Sequence, residues 1–145
     1  MTFFSPGDLF LILPELLVIA AACVVLVLDP VMPSNLKDGL AWLSLGTLAV
    51  CMGLIASQMG HPASAFGGVV AIDAYACFWK LLLYFVTGLT ILLSFSYLKE
   101  ERIYFGEYYG FVLLALAGMM VMVSGADMLT IYLGTELMSL SLYVM

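Results

Sequence analysis

Apolar residues in this chain gather into long blocks, with the polar residues collected between them. The first block runs from about Leu9 to Leu28 and stops at Asp29-Pro30, where Pro33 and Ser34 extend the turn. The second runs from about Leu40 to Gln58 and ends in Gly60-His61-Pro62, followed by a connection of small residues from Ala63 to Gly68. The third covers about Ala74 to Leu98 and is closed by Lys99, Glu100, Glu101 and Arg102. The fourth spans about Tyr108 to Val123 and gives way to Ser124-Gly125-Ala126-Asp127. The fifth starts near Met128 and is still apolar at Met145. The predicted elements are therefore five helices, near 9–28, 40–58, 74–98, 108–123 and 128–145.

Each block approaches the roughly 20 residues needed to cross about 30 Å of hydrocarbon at about 1.5 Å per residue. In hydrocarbon the backbone must satisfy its own hydrogen bonds, so helix is the state available, and the alternation of a membrane barrel is absent. The expectation is an all-α, polytopic transmembrane helix bundle forming a single domain over 1–145. The fifth block lacks a closing signal, which suggests the front part of a longer polypeptide.

Composition agrees: 65% of the 145 residues are hydrophobic and 10% are charged. A soluble domain of this size needs far more polar surface. The net charge of −6 rests on 10 acidic against 4 basic residues, most of them in the connections. With no basic patch, nucleic acid is not an expected partner, whereas the lipid bilayer is. Cys23, Cys51 and Cys77 sit singly in apolar blocks and read as small buried hydrophobes. His61, the single histidine, cannot build a haem or zinc site with them, so no cofactor or metal is expected in this chain. The amino terminus carries Asp8 and no basic residue, unlike a cleaved signal. Lys37 lies in the first connection, and Lys99 and Arg102 in the third. The positive-inside rule then places those connections in the cytoplasm and the amino terminus outside.

An ionisable side chain within a membrane is costly enough to be a functional candidate by default. Glu136 leads, about nine residues and roughly 13 Å beyond Asp127. Tyr132, Ser139 and Tyr143 share its helix face, so the stripe is expected to face protein or water. A carboxyl group there whose protonation switches with a neighbouring cation can relay protons; a protonated Glu136 can equally serve as a hydrogen-bonding link between helices. Lys80 lies two turns after Asp73 on the same helix face, and is open to two readings: a supporting functional residue with Asp73, or a side chain that snorkels towards Asp73 as an interfacial anchor. Glu15 follows Pro14, which frees a carbonyl one turn earlier, and is expected to be hydrated near the outer surface. The Met119, Met120 and Met122 cluster reads as packing. Gly106-x-x-x-Gly110 is a weak helix-pairing match at a boundary, and Ala20-Ala21-Ala22 is a flat contact surface.

The stretch from Glu107 to Met122, continuing from Asp127 through Thr135-Glu136-Leu137 to Tyr143, resembles the fourth and fifth helices of the antiporter-like subunits of respiratory complex I. Leu13-Pro14-Glu15-Leu16 and the opening of the third helix, Asp73 to Lys80, fit the same family. The resemblance implies a proton-translocating, non-redox subunit in a bacterial inner membrane, working beside other membrane-arm subunits. NADH, FMN, iron–sulfur clusters and quinone would be used by the whole complex, and no catalysis is expected from this chain alone. It also implies that Glu136 pairs with a lysine on a later helix, beyond Met145. Multi-subunit cation/proton antiporters and membrane-bound hydrogenases share the glutamate helix and stay open as alternatives, as does a membrane scaffold without pumping.

Overall fold

The computed structural model describes residues 6–33, 37–59, 63–65, 68–100 and 106–145. Ser34, Gly60, His61, Pro62, Glu101 and Arg102, used above as punctuation, lie outside these residues. Helices occupy all five apolar blocks: α1 (Pro6–Leu11) and α2 (Leu13–Leu28), α3 (Asp38–Gln58), α4 (Ala74–Glu100), α5 (Glu107–Ser124) and α6 (Met128–Val144). Successive long helices run in opposite directions. Of these, α3, α4 and α5 are long and apolar enough to cross a membrane by themselves, whereas α2 and α6 are shorter apolar helices. The molecule is an all-α membrane helix bundle.

The first block is broken rather than continuous. Pro14 has no N–H, so the Phe10 carbonyl four residues earlier has no intrahelical donor, and the helix interrupts at Ile12. Gln58, at the end of α3, donates its side-chain amide to that same carbonyl at 3.2 Å. The freed backbone group thus joins the first block to the second.

The connection between α3 and α4, expected to be a plain small-residue linker, carries a short antiparallel hairpin of β1 (Ala63–Ala65) and β2 (Val70–Ile72). The hairpin reaches the α5–α6 turn: the Ala126 amide donates to the Val69 carbonyl at 2.9 Å, and Val70 bridges Gly125. This end of the bundle therefore gathers the start of α2, the end of α3, the hairpin, the start of α4 and the α5–α6 turn. At the other end Lys37 pairs with Asp29 at 3.0 Å, and Ser94 meets the Tyr108 hydroxyl at 2.9 Å.

The core runs through the centre of the bundle along Val18, Ala22, Leu48, Tyr84, Leu113 and Leu116. α5 is the most enclosed of the helices long enough to span, and α6 packs chiefly on it. Their crossing is a backbone contact. A Cβ at Gly118 would lie 2.7 Å from the Gly134 carbonyl oxygen, and one at Gly134 would lie 2.8 Å from that of Gly118. With no hydrophobic force between helices in lipid, this close approach of small residues holds such a pair together. The Gly106-x-x-x-Gly110 match also contributes more than its boundary position suggests, because a Cβ at Gly110 would press within 2.6 Å of Leu26 on α2. Among the cysteines, Cys51 and Cys77 are buried as expected, but Cys23 is exposed, because Val18, Ala22 and Val25 take the inward face of α2.

Candidate functional site

The ionisable candidates Glu15, Lys80 and Glu136 fall in two places within the helical region, and their surroundings differ. The first lies between α2, α3 and α4. Lys80 and Glu15 form an ion pair there, with relative side-chain exposures of 0% and 8%. The geometry follows from the chain direction: α2 and α4 run parallel, Glu15 sits in the first turn of α2, and Lys80 stands two turns into α4. Both charges therefore reach the same level, about 10 Å past Asp73 at about 1.5 Å per residue.

This corrects the sequence-based expectations for three residues. Lys80 does not reach back to Asp73, and Glu15 is not at the aqueous surface. Asp73 is exposed and caps α4 instead, its Oδ1 accepting from the Ala76 amide at 2.7 Å. The physical reason is the desolvation cost of a lone buried ammonium, which an oppositely charged partner at the same depth offsets better than a distant boundary carboxylate.

Around the pair the interior stays polar on one side. Along α4, Cys77, Lys80, Tyr84 and Thr87 are all buried and recur at spacings of three and four, so they share one face. The Tyr84 hydroxyl neighbours the Cys51 thiol of α3, and that thiol lies 3.7 Å from the Pro14 carbonyl oxygen. Glu15 Oε1 is held by Lys80, while Glu15 Oε2 is buried with no hydrogen-bond partner among the described residues. Sequence reasoning singled out Glu15 and Lys80 but passed over Tyr84 and Cys51. The heptad-like recurrence of polar residues after Asp73 was the signal that could have found Tyr84.

The second place is α6. Asp127 caps this helix by accepting from the Thr130 amide at 2.8 Å. The Thr130 hydroxyl, and after it the Thr130 amide, hold the Asp127 carboxyl below its ordinary range. One and two turns on, Tyr132 and Glu136 stand one helical turn apart on the same face of α6. Both are exposed, Tyr143 is 85% exposed, and Ser139 is half-buried. The expected protein-facing stripe is thus uncovered within these residues. α6 turns Gly134 and Ser141 towards its neighbour α5, and that orientation points Glu136 away from the bundle. The structure brings Glu136 together with Tyr132 alone among the predicted companions, and separates it from the Glu15–Lys80 pair.

No set of three or more His, Cys, Asp or Glu side chains among the described residues could hold a metal ion. Chemically, the chain offers proton exchange and charge pairing.

No protein-family model matches the chain. Curated relatives do. NADH-quinone oxidoreductase subunit N of Dehalococcoides mccartyi is 39% identical over 139 residues, covering 95% of this chain and 28% of the relative. That of Trichlorobacter lovleyi is 35% identical over 142 residues, covering 98% and 29%. That of Thioalkalivibrio sulfidiphilus is 37% identical over 147 residues, covering 100% and 30%. The chain spans less than a third of the length of these relatives. Over nearly all of its residues, this chain is a homologue of NADH–quinone oxidoreductase subunit N.

Proposed function

We propose that the full-length protein is a membrane-arm subunit of a bacterial proton-translocating NADH–quinone oxidoreductase, and that Glu136 carries the proton. The observation behind this reading is the uncovered stripe of Tyr132, Glu136 and Tyr143 on a helix otherwise built for hydrocarbon. Such a face is expensive in lipid, so it calls for a protein or water partner. The relatives are more than three times longer than this chain, which leaves ample sequence to supply it. A cation on such a segment would hold Glu136 ionised when near and release it to bind a proton when withdrawn. Tyr132, within reach of the carboxylate, orients it, and Ser139 and Tyr143 extend the polar face along the helix.

Electron transfer from NADH through flavin and iron–sulfur clusters to quinone falls to other subunits. This chain contributes proton movement and contacts with its membrane-arm neighbours. The amino terminus lies outside the cytoplasm in this reading: Lys37, and Lys99 near the end of α4, fall at the same end of the bundle.

The test is Glu136→Gln in the full-length protein, assembled in its complex and assayed in inverted membrane vesicles. Proton pumping should fall at least tenfold, in line with the loss of an essential proton carrier, while the complex still assembles. Unchanged pumping would leave Glu136 as an interhelical link and favour a scaffold role.

A further inference from the structure

The role given to Glu136 leaves the outward surface of α3 and α4 unused, and the aromatic residues on that surface are sorted by type. Those with a polar tip are exposed at its two ends: Tyr75 and Trp79 where α4 starts, Trp42 where α3 starts, and Tyr97 near the end of α4. Because α3 and α4 run in opposite directions, Trp42 and Tyr97 mark one end and Tyr75 and Trp79 the other. Tyr75 and Tyr97 are 22 residues apart, about 33 Å at about 1.5 Å per residue, which matches roughly 30 Å of hydrocarbon. Amphipathic rings at two such levels are the pattern of the two headgroup layers. Between Trp79 and Leu93 every exposed residue of α4 is apolar except Thr90, whose hydroxyl donates to the Val86 carbonyl of its own helix at 2.9 Å. A hydroxyl satisfied within its helix asks for no partner from outside. The α6 stripe, with its glutamate in mid-helix, is the opposite case.

Within this surface a groove of about 180 Å³ runs between the two helices. Leu45, Ala49 and Met52 form its α3 wall, and Phe85, Gly88 and Leu92 its α4 wall. Each set recurs at three and four residues over two turns, so the groove follows the helix axes for about 10 Å. Small residues keep it open: a Cβ at Gly88 would meet nothing nearer than Leu48 Cδ1 at 4.0 Å. Tyr84, the one polar side chain lining the groove, is fully buried, with its hydroxyl beside the Cys51 thiol. The Leu45 and Leu92 end lies towards Trp42 and Tyr97. A neighbouring helix, about 10 Å across with its side chains, is too wide to enter such a groove, whereas an extended acyl chain lies along it. We propose that the α3–α4 surface is a lipid boundary of the protein, and that its groove binds one phospholipid acyl chain with the headgroup at the level of Trp42 and Tyr97. The inference goes beyond the role given to Glu136 and does not depend on it.

Photo-crosslinking tests this on the full-length protein in its assembled complex, reconstituted in vesicles of phosphatidylethanolamine and phosphatidylglycerol. A benzophenone side chain replaces either Phe85, on the groove wall, or Leu93, exposed on the same helix outside the groove. After irradiation, the mass of the subunit reads what each position touches. Both positions should gain adducts of phospholipid mass. Filling the groove with Gly88→Leu should cut the adducts at Phe85 by about tenfold, as expected for excluding roughly two buried methylenes, and leave those at Leu93 unchanged. If Gly88→Leu fails to assemble, Ala49→Leu fills the groove from the facing helix and gives the same reading. Adducts to protein at Phe85 overturn the proposal and make this surface an interface with other helices. Phospholipid adducts at Phe85 that persist undiminished in the filled variant also overturn it, since bulk lipid then touches the surface and no chain is held in the groove.

Discussion

The α2–α4 interface and the outer face of α6 each place a glutamate among apolar helices, and the chain treats them oppositely. Glu15 is enclosed and given a lysine from a parallel helix. Glu136 is displayed beside a tyrosine and given no cation by any described residue. A charge paired within its own bundle holds that bundle together, since removing either partner leaves the other uncompensated. A charge displayed outward is free to answer to a neighbour. Under the proposed function, the first site serves the integrity of the bundle and the second couples to the remainder of the protein.

The sharpest way to break the comparison is to neutralise each side in turn. Glu136→Gln should abolish most pumping and leave thermal stability of the assembled complex unchanged. Lys80→Met should do the reverse at first, lowering stability by about 3–5 kcal/mol, as expected for stripping one partner from a buried pair. Combining it with Glu15→Gln should recover most of that loss, because no unpaired charge then stays in the core. Denaturation of the four proteins of this cycle in detergent reads the coupling directly. Additive losses would show that Lys80 and Glu15 do not interact, and would place the two sites on an equal footing.

How far each site was legible in the sequence differs for the same reason. Helices within membranes announce themselves by length and apolarity, so the five blocks and the all-α bundle could be read without a structure. Depth along a helix is also readable, which is how Glu136, Lys80 and Glu15 stood out. Partners across helices are not: Lys80 has Asp73 seven residues away in the chain and Glu15 sixty-five residues away, and it pairs with the distant one. Choosing between them requires knowing that α2 and α4 run side by side at matching depth. Pro14 is a middle case. Its freed carbonyl could be deduced from the sequence, whereas the donor, Gln58, could not. The hairpin was missed because Val70, Ala71 and Ile72 are too few to show a period, and their pairing owes as much to the α5–α6 turn as to themselves.

A gentler test moves the outward site without touching its chemistry. α6 is held at its level by the Gly118–Gly134 crossing, where the two backbones leave no room for a side chain. Gly118→Ala should push α6 away from α5 and cost about 1–3 kcal/mol, the range for an overpacked contact. Pumping should fall with it, since Glu136 rides on the displaced helix, while the coupling energy of the Glu15–Lys80 pair stays unchanged. Cysteine cross-linking between the two helices reports the separation. If Gly118→Ala changes neither cross-linking nor pumping, the position of α6 is set elsewhere.

The smallest effect belongs to the cap that starts α6. Thr130 keeps the Asp127 carboxyl ionised below its ordinary value of 3.8. The folded state therefore binds that proton less readily than the unfolded state does. The stabilisation is complete above the unfolded value and is lost as pH falls through the lowered folded one. Protection of the first α6 amides against hydrogen exchange, measured as protection factors to remove the intrinsic pH dependence, should decline over that acidic window. Asp127→Asn should retain the cap, as asparagine accepts the same hydrogen bond, but lose the pH dependence; Asp127→Ala should lose both. Neither variant should alter the Glu15–Lys80 pair, which owes nothing to this cap. A change in the Glu15–Lys80 coupling in Asp127→Ala, read by the same double-variant cycle, would mean that the α6 terminus and the buried pair communicate, and the two glutamates would then be coupled rather than contrasted.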